Sequence, residues 1–200
     1  GNMLIMLGAL AKVEGNADFS KPYLPQLERW AEYLAQHGLD PANQLCTDDF
    51  AGHLARNANL SAKTCVALGA YAQLLGAAGQ DEQSMKWRAT AEEFAAKWLR
   101  LSEGPQVSVL VFGSKSQDSW SQKYNLVWDR VLGLDLFPAE VFDREMSWYR
   151  AHGNRYGLPL DSRKTYTKLD WTVWSACLTR RRAVFDAIMS PVYAWSNASP

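Results

Sequence analysis

Cysteine is scarce in this chain. Three residues in 200, Cys46, Cys65 and Cys177, are too few and too widely spaced for a disulfide framework or a zinc site, and they read as ordinary buried thiols. An excess of one charge is also missing. The 21 basic and 21 acidic residues cancel and no lysine-rich run exists, which removes the footprint expected of a nucleic-acid partner or an anionic membrane surface. No run of about 18 apolar residues is free of charge, so no membrane span is expected. The three histidines, His37, His53 and His152, lie far apart, and Asp48 with Asp49 alone would hold only a loose hard cation. No metal and no cofactor is therefore expected. The motifs G-x-S-x-G, H-E-x-x-H, C-x-x-C and the P-loop are absent.

Strand signals are almost absent too. Only "VSVLVF", residues 107–112, is dense in β-branched residues, and it is short. What is present is helical periodicity in a composition that is 48% hydrophobic and 21% charged, enough to bury a core. Eight helices are predicted, at about 3–13, 23–37, 53–77, 81–102, 119–133, 138–151, 167–178 and 180–190. The second carries Leu24, Leu27, Ala31 and Leu34 on one face, and the fourth Trp87, Ala91, Phe94 and Trp98, with charges elsewhere. The sixth has the same mixed style. These are one-sided surface helices. The first, third and seventh are apolar nearly all round, the mark of buried helices, and the fifth is mixed and rich in aromatics. The fold class expected is all-α: antiparallel helical hairpins that alternate inner and outer, either a solenoid or part of an α/α toroid, with no strict sequence repeat to favour the solenoid. The chain reads as one helical-hairpin domain, residues 1–200, cut from a longer protein.

The connections point to a site. Links from inner to outer helices are short or carry turn chemistry, as in "GAAGQ" and "GLDLFP". Links from outer to inner helices are long: residues 38–52, "GPQVSVLVFGSKSQDS" and "HGNRYGLPLDSRKTYT". In an up-and-down array these long links share one face, and that face receives the N-termini of the inner helices, whose dipoles suit a carboxylate-bearing ligand.

Polar residues gather in the same segments. "QLCTDDFAGHLARNANLS" carries Asp48 and Asp49, one of which is expected to cap the third helix, followed by His53, Arg56 and Asn57 close together on its first turns, with Asn59 away from them. "SWSQKYNLVWDRVLGLDLFP" carries Lys123, Tyr124, Asn125 and Asp129, and Asp129 shares a face with Asn125 four residues earlier. "YGLPLDSRKTYTKLDWTVW" carries Asp161, Arg163, Tyr166, Lys168, Asp170 and Trp171. Structural readings compete throughout: helix capping for the first block, a buried ion pair of Asp129 with Arg130 or Lys123, first-turn dipole compensation for Asp170. Carboxylates near the N-terminal ends of three inner helices nevertheless offer what hydrolysis by general acid and base needs.

These three blocks resemble the signature blocks of the glutaminase A family. The similarity runs from about residue 3 to the C-terminus. The resemblance implies a central helical-hairpin domain, similar to six-hairpin glycosidase toroids, within a multidomain protein that is secreted or held in the cell envelope or periplasm. It implies hydrolysis of L-glutamine to L-glutamate and ammonia, with other domains of the same chain as partners. A carboxylate among Asp48, Asp49, Asp129 and Asp170 would activate water. Arg56, Lys123 or Arg163 would hold the substrate carboxylate, with His53, Asn57, Tyr124, Asn125, Asp161, Tyr166 and Trp171 around it. Two other readings stand beside this one: a glycoside hydrolase with paired carboxylates, and a non-catalytic scaffold that packs on neighbouring domains. The fragment alone is expected to be inactive.

Overall fold

A computed structural model describes residues 1–42, 52–114 and 119–199. Among them are eight α-helices and no strand: α1 Asn2–Glu14, α2 Leu24–His37, α3 Ala58–Ala77, α4 Asp81–Leu101, α5 Val127–Leu132, α6 Ala139–Ala151, α7 Leu169–Ala176 and α8 Arg182–Ala198. A 3₁₀ turn at Tyr124–Leu126 leads into α5. The predicted all-α hairpin class and the helix order are observed.

The core forms around α3, which packs against α1, α2, α4 and α5. Its sequence explains this position. Small residues (Ala58, Ala62, Ala67, Ala70, Ala72) alternate with Leu68, Leu74 and Leu75, all buried, so neighbours approach from every side. On α4 the predicted stripe of Trp87, Ala91, Phe94 and Trp98 is buried. Tyr71 meets Trp87 edge-on at 5.6 Å, and Trp98 meets Phe137 edge-on at 5.3 Å. On α2, Leu27 and Ala31 are buried and Leu24 and Leu34 partly so.

Full burial is correct for α3 but not for α1 or α7. On α1, Leu4, Ile5, Leu7 and Ala11 face the core, whereas Met6 and Val13 are 58% and 86% exposed. On α7, Leu169 and Asp170 are exposed in the first turn. The apolar composition of both helices hides this one-sidedness. Cys65 is buried as expected, whereas Cys177 is exposed just past α7. Cys46 lies outside the described residues. Among those described, no helix is long and apolar enough to cross a membrane.

Gly8 sets the α1–α3 distance. A Cβ at this position would lie 2.8 Å from the Ala70 carbonyl oxygen and 3.0 Å from the Ala70 Cβ. Gly8→Val therefore forces the two inner helices apart. The expected loss is about 1–3 kcal/mol, read as a lower urea midpoint with an unchanged slope.

Candidate functional site

Where they are described, the three long connections share one face, and hydrogen bonds stitch them together. The first meets the second through an isolated bridge between Asn57 and Val111, with Ala58 N–H donating to Leu110 O at 3.0 Å and Phe112 N–H to Arg56 O at 2.9 Å. The second meets the third through a bridge between Ser121 and Asp161. There Gln122 N–H donates to Leu160 O at 2.8 Å and Ser162 N–H to Trp120 O at 3.0 Å. The Gln122 side chain is buried and donates to Leu158 O, Pro159 O and the Thr167 hydroxyl, while its oxygen accepts from Ser175 of α7. "VSVLVF" is the middle of this assembly. It forms no strand, but buries Val107, Val109, Leu110 and Phe112.

Lys123 occupies the interior behind this face, with no exposed surface. Its ammonium donates to Ser108 O at 3.1 Å, to Ser121 O at 3.0 Å and to Ser121 Oγ at 3.0 Å. Glu145 of α6, equally buried, accepts from Ser108 N–H at 3.0 Å and from the Tyr149 hydroxyl at 2.7 Å, and that hydroxyl accepts from Lys123 N–H at 2.7 Å. Burial lowers the Lys123 ammonium to about 8. Glu145 and Asp161 act against the shift and Arg144 adds to it. Burial, with the Glu145 charge, pushes the Tyr149 hydroxyl well above its ordinary range. The expectation that Lys123 holds a substrate carboxylate is corrected: all three of its N–H groups are used inside the protein, where no ligand reaches.

Asp129 is also placed differently. It was expected on the face of the long links, but it faces the opposite end. Its Oδ1 accepts from Leu136 N–H at 2.9 Å, beyond the C-terminus of α5. That turn lies beside the C-terminal ends of α1 and α3, since Leu132 O accepts from Lys12 Nζ and from Gln73 Nε2. Burial raises the Asp129 carboxyl, and backbone bonds from Leu136 and Phe137 pull it back. Asp129 is thus a turn-forming group behind α5, with neither Lys123 nor Arg130 as its hydrogen-bond partner.

The first block is corrected as well. His53 and Arg56 precede α3 instead of riding on it, and Arg56 takes a left-handed φ of 59°. Asn57 is the N-cap, its oxygen accepting from Leu60 N–H at 2.8 Å, so the cap expected of Asp48 or Asp49 is supplied by Asn57. Asp48 and Asp49 themselves lie outside the described residues. Arg56 forms an exposed pair with Asp40 at 3.0 Å. Asn59, set aside on spacing, is buried and joins α3 to the start of α5: its oxygens accept from Asn125 N–H at 3.2 Å and Asn125 Nδ2 at 3.1 Å.

The third block gathers around the start of α7. Asp161 is buried and holds Arg163 through two contacts of 3.0 and 2.7 Å, a forked pair within one turn. Tyr124 is buried and stacks on Trp171 at 4.3 Å, and Trp174 meets both rings edge-on. The Lys168 ammonium lies 5.3 Å over Trp171. Asp170, the residue before Trp171, is exposed. Two buried polar atoms of these residues, Trp171 Nε1 and Asn125 Oδ1, have no hydrogen-bond partner among the described residues. A cavity of about 550 Å³ opens by Trp30, Tyr33, His37 and Thr64, and one of about 450 Å³ by Tyr166 and α8. Among the described residues, neither is lined by a carboxylate. Among the described residues, no three His, Cys, Asp or Glu side chains are grouped to hold a metal ion.

Comparison with known proteins agrees with the three-block resemblance. The Glutaminase A six helical-hairpin domain matches residues 1–200. Glutaminase A of Aspergillus oryzae is 33% identical over 204 residues, covering all of this chain and 29% of the fungal protein. A probable glutaminase of Arthroderma benhamiae is 27% identical over 196 residues, covering 84% of this chain and 23% of that protein. The chain thus spans less than a third of either relative, and the remainder of each supplies further segments.

Lys123→Met leaves the buried oxygens of Ser108 and Ser121 without their donor and removes the charge near Glu145, an expected loss of about 1–3 kcal/mol at pH 7. The pH dependence is specific. Between about 8 and the ordinary lysine value near 10.4, the unfolded chain holds more protons at this site than the folded one. The Lys123 contribution to stability therefore rises with pH in that window, and the gap between wild type and variant widens. Urea denaturation at pH 7, 8.5 and 9.5 measures it.

Proposed function

The chain belongs to the glutaminase A family through its six helical-hairpin domain, and from that premise we propose that it carries the reacting carboxylate of an amide hydrolase. The reaction is L-glutamine and water to L-glutamate and ammonia. The observation that carries this reading is the cluster at the start of α7. There Asp170, exposed in the first turn of α7, directly precedes Trp171 of the Tyr124–Trp171 stack, over which the Lys168 ammonium lies, and two buried polar atoms, Trp171 Nε1 and Asn125 Oδ1, are unpartnered among the described residues.

In this reading Asp170 takes a proton from water as its oxygen attacks the carboxamide carbon. The carbon–nitrogen bond then breaks, and ammonia leaves with that proton. Lys168 meets the substrate carboxylate. Arg56 and Arg163, paired with Asp40 and Asp161, hold the loops that frame the site. Asp48 and Asp49, in the first long connection, are the proposed second carboxylates. The glycosidase alternative needs two carboxylates facing each other across a pocket. Among the described residues no such pair is assembled, because Asp129 faces the other end and Asp161 is engaged by Arg163. The same proposal places the protein outside the cytoplasm, secreted or in the cell envelope.

Asp170→Asn in the full-length protein is expected to lower glutamine turnover by about 100-fold or more, while Asp129→Asn, which keeps its acceptor, leaves turnover near wild type. A coupled ammonia assay reads both. Equal turnover in the Asp170 variant would overturn the assignment.

A further inference from the structure

The start of α7 carries Lys168, Asp170 and Trp171, yet it has few local reasons to be ordered. α7 is eight residues long, and helices below about 12–15 residues are marginal without outside support. Lys168 is its N-cap, and a lysine has no acceptor to offer the N–H groups of the first turn. Leu169 is 52% exposed and Asp170 is exposed as well, so this turn buries little of itself. The Trp171 ring, stacked on Tyr124, holds one side.

Gln122, from the second long connection, holds the other, and it has no exposed surface. The Thr172 hydroxyl donates to Lys168 O at 3.1 Å and lies 3.2 Å from the Thr167 hydroxyl. Its single proton is used on Lys168, so Thr167 is the donor in that pair. The Thr167 oxygen in turn accepts from Gln122 Nε2 at 3.0 Å. A one-way chain of hydrogen bonds thus runs from Gln122 through Thr167 and Thr172 to Lys168 O. The same carbonyl accepts the Thr172 N–H at 3.1 Å, closing the first turn of α7. At its other end, Gln122 Oε1 accepts from Ser175 Oγ at 2.9 Å. Thr172 and Ser175, three residues apart, share one buried face. The carbonyls of Leu158 and Pro159 also meet Nε2. These acceptors fix the amide's orientation, because turned over it would set its oxygen against two carbonyl oxygens.

We propose that Gln122 is a positioning residue of the hydrolytic centre: through Thr167, Thr172 and Ser175 it fixes the first turn of α7, and with it Lys168 and Asp170. Its catalytic consequence rests on the Asp170 reading. Gln122 itself is sealed from substrate. The position needs a donor and an acceptor on one side-chain end. Methionine of similar length supplies neither, and an ionised glutamate supplies acceptors alone. The effect on rate is large for so small a device, since a misplacement of about 1 Å can cost about 100-fold.

Amide hydrogen exchange and glutamine turnover of the full-length protein test this together. Protection of the residue-172 amide is expected to fall by about tenfold or more in Gln122→Met and in Thr172→Val, which removes the middle of the chain and keeps its shape. Protection of the Ser102 amide, at the end of α4, is expected to stay at the wild-type value. Each variant is also expected to lose about tenfold or more in kcat. Asp170→Asn combined with Gln122→Met should be no slower than Asp170→Asn alone, because Gln122 acts through that turn. Unchanged protection at residue 172, an equal fall at Ser102, or losses that multiply in the double variant would overturn the proposal. If Gln122→Met does not fold, Thr172→Val carries the same test. Full turnover in Asp170→Asn alone would remove the hydrolytic assignment, and protection at residue 172 then decides by itself whether Gln122 orders the turn.

Discussion

A lysine ammonium stays inside a protein only where its hydrogen bonds are replaced and a counter-charge lies near. Lys123 meets that condition with oxygens of Ser108 and Ser121 and with Glu145 close by. The two serines stand thirteen positions apart in the connection between α4 and α5. One ammonium therefore fixes both ends of that segment, and Glu145 and Tyr149 fasten it to α6. Everything on the face of the long links depends on this. The segment's middle reaches Asn57 and Ala58 on one side, and its end reaches Leu160 and Asp161 on the other.

The two ends of the hairpin array thus do different work. At the end with short links, Asp129 and Gly133 shape a turn, and Lys12 and Gln73 donate to the Leu132 carbonyl. These contacts are structural. At the other end, the long links bring aromatic rings, cations and Asp170 to the surface on a backbone held from behind. A rigid support under exposed polar groups is what preorganised chemistry requires. The family match runs over the whole chain, both ends of the array included.

Helix periodicity carried most of the fold. The Trp87, Ala91, Phe94 and Trp98 stripe on α4 and the all-round apolarity of α3 led directly to their observed burial. The misplaced boundaries have a common cause. Residues 119–123 follow a helical pattern but are used in bonds to the third connection, so α5 begins late, at Val127. Likewise Arg56 closes a turn against Pro41 and Phe112, and α3 begins at Ala58. Long-range pairings of this sort leave no local trace. Glu145 did leave one. It lies on the stripe of Val141, Phe142, Met146 and Tyr149, where a carboxylate demands a partner, and that partner's network is the Lys123 cluster. Asp129 was misread because spacing along a helix tells which side a residue faces, not towards which end its side chain reaches.

The described parts of the three long connections form one hydrogen-bonded unit. Amide hydrogen exchange at Ala58, Phe112, Gln122 and Ser162, whose N–H groups make the cross-connection bonds, measures this most directly. All four are expected to be protected and to open together, with a shared free energy. Exchange at the rate of unstructured loops, or independent opening of Ala58 and Phe112 from Gln122 and Ser162, would contradict it.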